Sequence, residues 1–176
     1  MAGCTTPDAS KDNVQKKIAE YLKKTYEKEF VVKKPVSTDN NTYEVWAYPK
    51  DDPEIGFKVS WKSGEPGEFK ESYMNALWTS QAKEEFNKLL KDIYGEELKS
   101  IYSVQFNYKF HDIDLSEVKN LSYSDLLKTY TDKIRCGMEY YVFVDETIDK
   151  RKEAEKIYSL VKQHVLDKNI STFELQ

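Results

Sequence analysis

Hydrophobic and polar positions alternate along this chain in two periods. From Lys11 to Lys28, Val14, Ile18, Tyr21, Leu22 and Tyr26 recur at three- and four-residue spacing. That spacing lines one face of a helix, and Ser10 or Asp12 is placed to cap it. The period then shortens to two. Phe30-Val31-Val32 reads as a short strand, broken by Pro35 and the polar run 37–41. Thr42–Tyr48 is rich in β-favouring residues. Phe57, Val59 and Trp61 alternate with Lys58, Ser60 and Lys62, the pattern of a half-buried strand. The stretch predicts a three-stranded antiparallel meander.

A second helix is predicted from about Phe69 to Tyr94. Its apolar set is Tyr73, Leu77, Ala82, Phe86, Leu89, Leu90 and Ile93, and Gly95 stands where a C-cap belongs. Tyr102, Val104, Phe106, Tyr108 and Phe110 then alternate with polar residues, which predicts a strand over 101–110. Residues 115–121 read as a helical turn or a loop. Ser122 opens a capping-box-like start to a helix carrying Leu126, Leu127, Tyr130 and Ile134, with Gly137 ending it. A strand is predicted over Glu139–Val144. A last helix comes next, capped by Asp149, with Ala154, Ile157, Leu160, Val161 and Val165 on its buried side, and Ile170–Leu175 reads as a final strand. The architecture expected is α+β, a mainly antiparallel sheet system with about four helices on one face and a helix–meander–helix first half. Residues 11–176 are expected to form one globular domain, with 11–95 and 96–176 as possible subdomains and 1–10 as a flexible tether.

Composition changes this picture little. The 176 residues suffice for one good core. The net charge of −4 comes from interspersed charges, and the basic residues are nearly all Lys, with Arg only at 135 and 151. Phosphate and base recognition favours the guanidinium fork, so no nucleic-acid partner is expected. No apolar run approaches the length needed to cross a bilayer. Cys4 and Cys136 are the two cysteines. A disulfide scaffold is excluded by count, and Cys136 reads as a small buried hydrophobe at a helix end.

The N-terminus carries the one informative motif. Ala2-Gly3-Cys4, followed by the small polar run Thr5–Ser10, resembles the end of the lipobox of bacterial lipoproteins. Met1 stands where that pattern has Leu, and no basic-plus-apolar signal segment precedes it. The resemblance implies that Cys4 bears the lipid and that the chain is held on the outer face of a bacterial cytoplasmic membrane. Two acyl chains on one cysteine suffice for stable anchoring, and six extended residues reach roughly 20 Å. The alternative location is the cytoplasm, with native initiation at Met1.

No catalytic or cofactor motif is present. The chain lacks a phosphate-binding glycine loop, a C-x-x-C pair and a zinc-protease helix. Two histidines, His111 and His164, leave zinc short of its usual ligands. No metal and no cofactor are expected. His111 beside Asp112 and Asp114 is the one arrangement with general-base chemistry, which makes a cell-surface hydrolase the alternative function. Asp112, Asp114 and Glu117 lack the spacing of a calcium loop, and Asp51-Asp52-Pro53-Glu54 reads as an acidic hairpin turn. Trp46, Tyr48, Trp61 and Trp78 remain as a candidate binding surface, because exposed rings on a sheet are typical of recognition. The expectation is therefore a non-enzymatic, lipid-anchored binding domain whose partner is a protein, peptide or envelope component.

Overall fold

The computed structural model describes residues 11–38, 41–63, 68–95, 99–108, 114–130, 134–143 and 149–163, with the backbone alone for 99–108 and 134–143. Among them are helices α1 (Lys11–Tyr26), α2 (Tyr73–Tyr94), α3 (Leu115–Val118), α4 (Tyr123–Thr129) and α5 (Lys150–Val161). The strands are β1 (Phe30–Val32), β2 (Val36–Ser37), β3 (Thr42–Pro49), β4 (Phe57–Lys62), β5 (Glu68–Glu71), β6 (Lys99–Tyr108) and β7 (Ile134–Phe143). The fold is α+β, with antiparallel sheets throughout. Residues up to Ala76 form one compact unit and residues from Leu77 a second, so the boundary falls inside α2.

The first unit is a five-stranded sheet in the order β1-β3-β4-β5, with β2 also paired to β3. Register is explicit: Val45 faces Val59, Trp46 faces Lys58, and Trp61 faces Phe69. Side chains alternate across the sheet. Tyr43, Val45, Ala47, Phe57, Val59 and Trp61 are therefore buried on one side, and Glu44, Trp46, Lys58 and Lys62 are exposed on the other. Helix α1 covers the buried side. Its Val14, Ile18 and Leu22 are fully buried; Tyr21 stacks on Phe69 with ring centroids 4.1 Å apart, and the Gln15 amide donates to the Val32 carbonyl. Where α1 ends, Glu27 adopts the left-handed conformation at φ 56° and its amide closes the last turn on Lys23.

A cluster of rings fills the other end of this core. Tyr26, Phe30, Phe57 and Tyr73 pack with centroids 4.6–6.0 Å apart, mostly edge to face. Glu71 closes the cluster on its polar side. One carboxylate oxygen accepts from the Tyr26 hydroxyl and the other from the Tyr73 amide. The second bond satisfies one of the donors that the start of α2 leaves without an intrahelical partner.

In the second unit, α2 presents a stripe at four-residue spacing. Trp78, Ala82, Phe86 and Leu90 are all buried. The Trp78 indole donates to the Leu121 carbonyl at 3.0 Å, and Gln81 accepts from the Tyr123 amide at 2.8 Å. Together they fix the entry to α4, where Ser122 caps the helix and bonds Asp125. Tyr123, Leu126, Leu127 and Val118 pack in the same core. Farther along, the Tyr94 hydroxyl donates to Glu153 of α5 at 2.6 Å, and Lys156 lies 4.6 Å over the Tyr94 ring. Asp149 caps α5 by accepting from the amides of Arg151 and Lys152. Gly95 ends α2 at φ 90°, a left-handed position that costs other residues about 1 kcal/mol or more.

Several elements differ from the sequence reading. Residues 68–71 belong to β5 rather than to α2, because they complete a ladder with Val59–Lys62. Helix α4 stops at Thr129. Ile134 opens β7 instead, and Gly137 and Cys136 lie inside that strand, opposite Gln105 and Phe106. The ten-residue pairing of β6 with β7 supplies the backbone bonds that a longer helix would have supplied locally. Ala154 is exposed on α5, while Glu153 turns inward to Tyr94. Val165 and the strand expected at Ile170–Leu175 lie outside the described residues.

Trp78→Phe is expected to lower the stability of the second unit by roughly 2–4 kcal/mol, because it opens space in a full core and strands the Leu121 carbonyl. Urea denaturation followed by far-UV circular dichroism checks this, and a change below about 0.5 kcal/mol would contradict the role given to the indole.

Candidate functional site

The four aromatic residues singled out from the sequence separate in the structure. Trp61 is 4 % exposed and sits under α1, with Tyr43 and Phe69 stacked on either side at 5.7 and 6.2 Å. Trp78 is fully buried in the second unit. Neither belongs to a surface. Both occupy positions whose spacing matches the buried stripe, two residues from Val59 on β4 and four from Ala82 on α2. Trp46 and Tyr48 do share an outward face. Trp46 is 54 % exposed, among the most exposed large apolar side chains of the described residues, and Tyr48 is half-buried beside it on the same strand.

The strands place four further groups around these rings. Lys58 sits directly opposite Trp46 in the β3–β4 ladder, its ammonium 5.8 Å from the indole centroid. Lys33 follows β1, donates its amide to the Trp46 carbonyl at 2.8 Å, and holds its ammonium 5.1 Å over the Tyr48 ring. Val36 of β2 is 63 % exposed and lies opposite Glu44, two residues before Trp46 on β3. The lysine stems thus run along aromatic surface while the charged ends stay in water. The sequence carries the signal for this face in the alternation of residues 42–48 with 57–62. Lys33 and Val36, which come from an irregular stretch, could not be placed on it that way.

Other groups with chemical potential are used locally. His111 and Asp112 lie outside the described residues. Asp114 is exposed and accepts from the Ser116 amide at 2.9 Å, which holds its carboxyl below the usual range and caps the one-turn helix α3. Glu117 accepts from the Tyr130 hydroxyl at 3.0 Å. Asp52 accepts from the Glu54 amide within the hairpin turn, as turn chemistry requires. Among the described residues no group of three or more His, Cys, Asp or Glu is placed to hold a metal ion. An open depression of about 350 Å³ is lined by Lys28, Glu29, Lys50 and Asp51. Three of its four charged groups are paired, Lys28 with Asp51 at 3.4 Å and Glu29 with Lys23.

Beneath the sheet, burial and the Glu71 carboxylate push the Tyr26 phenol well above its ordinary value. Burial, with Asp51, Asp52 and Glu71 adding repulsion, pushes Tyr73 up to about 12. These groups are structural, since both serve the core that backs the outer face.

No protein-family profile matches the chain, and no curated protein does. A crystal structure of a DUF5037 family protein from Ruminococcus gnavus ATCC 29149 is similar, at 18 % identity and a TM-score of 0.47, over 86 % of this chain and 70 % of that one. The name of that protein states neither activity nor ligand. A likeness that distant assigns no function to this chain.

Because both phenols ionise later in the folded state than in the unfolded chain, their contribution to stability is complete below about pH 10 and is lost as pH rises toward about 12. In an alkaline titration, phenolate absorbance is followed together with the near-UV circular dichroism. Tyr26 and Tyr73 should ionise only with cooperative loss of the near-UV circular dichroism. All tyrosines titrating together while the fold persists would contradict the burial of this cluster.

Proposed function

We propose that this chain is a non-enzymatic binding domain, lipid-anchored through Cys4 on the outer face of a bacterial cytoplasmic membrane, with the Trp46 face as its working surface. One observation carries the reading of the surface. The sheet of the first unit is covered on one side by α1 and holds a 54 % exposed indole on the other. A large ring left in water at the middle of a well-packed sheet gives up the hydrophobic gain of burial, roughly 25 cal/mol per Å² of apolar area. A ligand that covers it recovers that gain, and Trp is prominent among residues that dominate binding energy.

The anchor is supported by the resemblance of Ala2-Gly3-Cys4 to a lipobox. Among the described residues no helix is long and apolar enough to cross a membrane. In this reading attachment therefore runs through the lipid, and the described part of the chain acts as a water-facing body. The non-enzymatic reading is supported by the face itself, which offers rings and ammonium groups and no nucleophile–base pair.

The anchor is tested by the intact mass of native protein from the membrane fraction. The expected product begins at Cys4 with a diacylglyceryl thioether, and Cys4→Ser is expected to shift the protein into the soluble fraction. A free thiol at Cys4 on protein retained in the cytosol would overturn the anchor. The surface is tested by a photo-crosslinking amino acid at position 46, with position 16 on the solvent side of α1 as control. Adducts with an envelope component from position 46 alone are expected, and equal labelling from both positions would contradict a working face at Trp46.

A further inference from the structure

The structure also carries an inference about what this face meets, and it rests on the Trp46 face being the working surface. We infer that the outer side of the five-stranded sheet docks on an anionic lipid surface. Trp46 and Val36 enter the headgroup layer, and Lys33 and Lys58 meet lipid phosphates.

Three observations point to this occupant. The first is the chemistry of the patch. Trp46 is 54 % and Val36 63 % exposed, and Tyr48 sits half-buried beside Trp46. Trp and Tyr rings suit the boundary between headgroups and acyl chains, where one end of the ring is apolar and the other is wet. Lys33 and Lys58 stand over those rings at 5.1 and 5.8 Å with exposed side chains. That arrangement buries the stems and presents the ammonium groups outward, as lysines do at an interface.

The second is charge. The chain as a whole carries −4, yet among the described residues this face reverses that sign. Lys33, Lys58 and Lys62 stand against Glu44, while Lys70 is matched by Glu68 at 3.2 Å. A locally basic face on an acidic protein fits an anionic surface.

The third is backbone geometry. Strand β3 is paired on both sides, with β1 and β2 on one and β4 on the other. The strand that carries Trp46 therefore has no open edge, and an extended peptide could not add itself there. An open depression among the described residues lies at Lys28, Glu29, Lys50 and Asp51 and involves none of these residues. The Trp46 side of the sheet is a broad face of rings and lysines, which matches a plane better than a strand.

The expected strength is modest. Each lysine near an anionic leaflet contributes roughly five-fold to partitioning, and the effect decays over about 8 Å at physiological salt. Such a face orients a domain held by another anchor and does not hold it alone.

The full chain carrying Cys4→Ser, which removes any lipid at that position, is mixed with large vesicles of phosphatidylcholine or of an equal mixture with phosphatidylglycerol. Binding is read by flotation and by tryptophan emission. Because Trp61 and Trp78 are already buried, a blue shift reports Trp46. The expected result is salt-sensitive binding to the anionic vesicles alone, with a blue shift. Lys33→Gln with Lys58→Gln is expected to weaken it by roughly 25-fold. Lys16→Gln with Lys24→Gln, the same change in charge on exposed positions of α1, is expected to leave it within about two-fold. Trp46→Ala is expected to abolish the shift, with circular dichroism showing the fold retained.

No binding to either vesicle, equal binding to both, or equal losses from the two lysine pairs overturns the inference. These outcomes are separable from failure of the wider reading. If position 46 still crosslinks an envelope component, the face is a working surface with a different occupant. If Cys4 is unmodified in native protein, the anchor fails whatever the vesicles show.

Discussion

One-sided burial of β3 and β4 is the constraint on which the first unit depends. A strand has two faces, and a single amphipathic helix can cover only one of them. Helix α1 supplies Val14, Ile18 and Leu22 to the inner side, and each of these side chains excludes water completely. The register Val45–Val59 and Tyr43–Trp61 then fixes which residues must point outward. Trp46 is exposed because Val45 and Ala47 are not. A slip of β3 by one residue would turn Glu44 and Trp46 inward and expose Tyr43, Val45 and Ala47, so the identity of the outer face is as strongly specified as the core itself.

The inner side is also built to be stiff. Its ring cluster is locked by Glu71, which ties Tyr26 at the end of α1 to the first residue of α2. A rigid backing suits a recognition surface, because little ordering entropy is then lost on contact. The second unit is organised around α2 in a comparable way. Trp78 and Gln81 hold the segment before α4, and Tyr94 holds α5 through Glu153. Trp78 fills the core while its indole N–H and the neighbouring Gln81 fasten the segment before α4, and the half-buried Tyr94 ring fastens α5 through its hydroxyl.

Much of this is legible in the residues. The alternation in 57–62, the four-residue spacing in α1 and α2, Gly95 at a helix end, and the Ser122 and Asp149 caps each correspond to an observed element. The failures have physical causes. Glu68–Glu71 is hidden as a strand because an edge strand half open to solvent tolerates charge, and Phe69 continues the helical spacing of α2. Residues 130–136 read as helix because Tyr130 and Ile134 are four apart, whereas the pairing with 106–108 that captures 134–136 is non-local and leaves no trace in a short window. Within the candidate surface, Trp46 and Tyr48 share the outward side of β3. Trp61 and Trp78 join them only by residue type, although their own spacing already matches buried positions. Lys33 and Val36 reach the face from an irregular stretch that no periodicity describes.

In the proposed function, Trp46 alone of the three tryptophans passes from open water to a covered state, since Trp61 and Trp78 are buried throughout. Hydroxyl-radical footprinting in intact cells and on purified protein, read by mass spectrometry at each tryptophan, measures this directly. Strong oxidation of Trp46 in the purified protein, its clear protection in cells, and little modification of Trp61 or Trp78 in either are expected. Equal oxidation of Trp46 in both settings would contradict it.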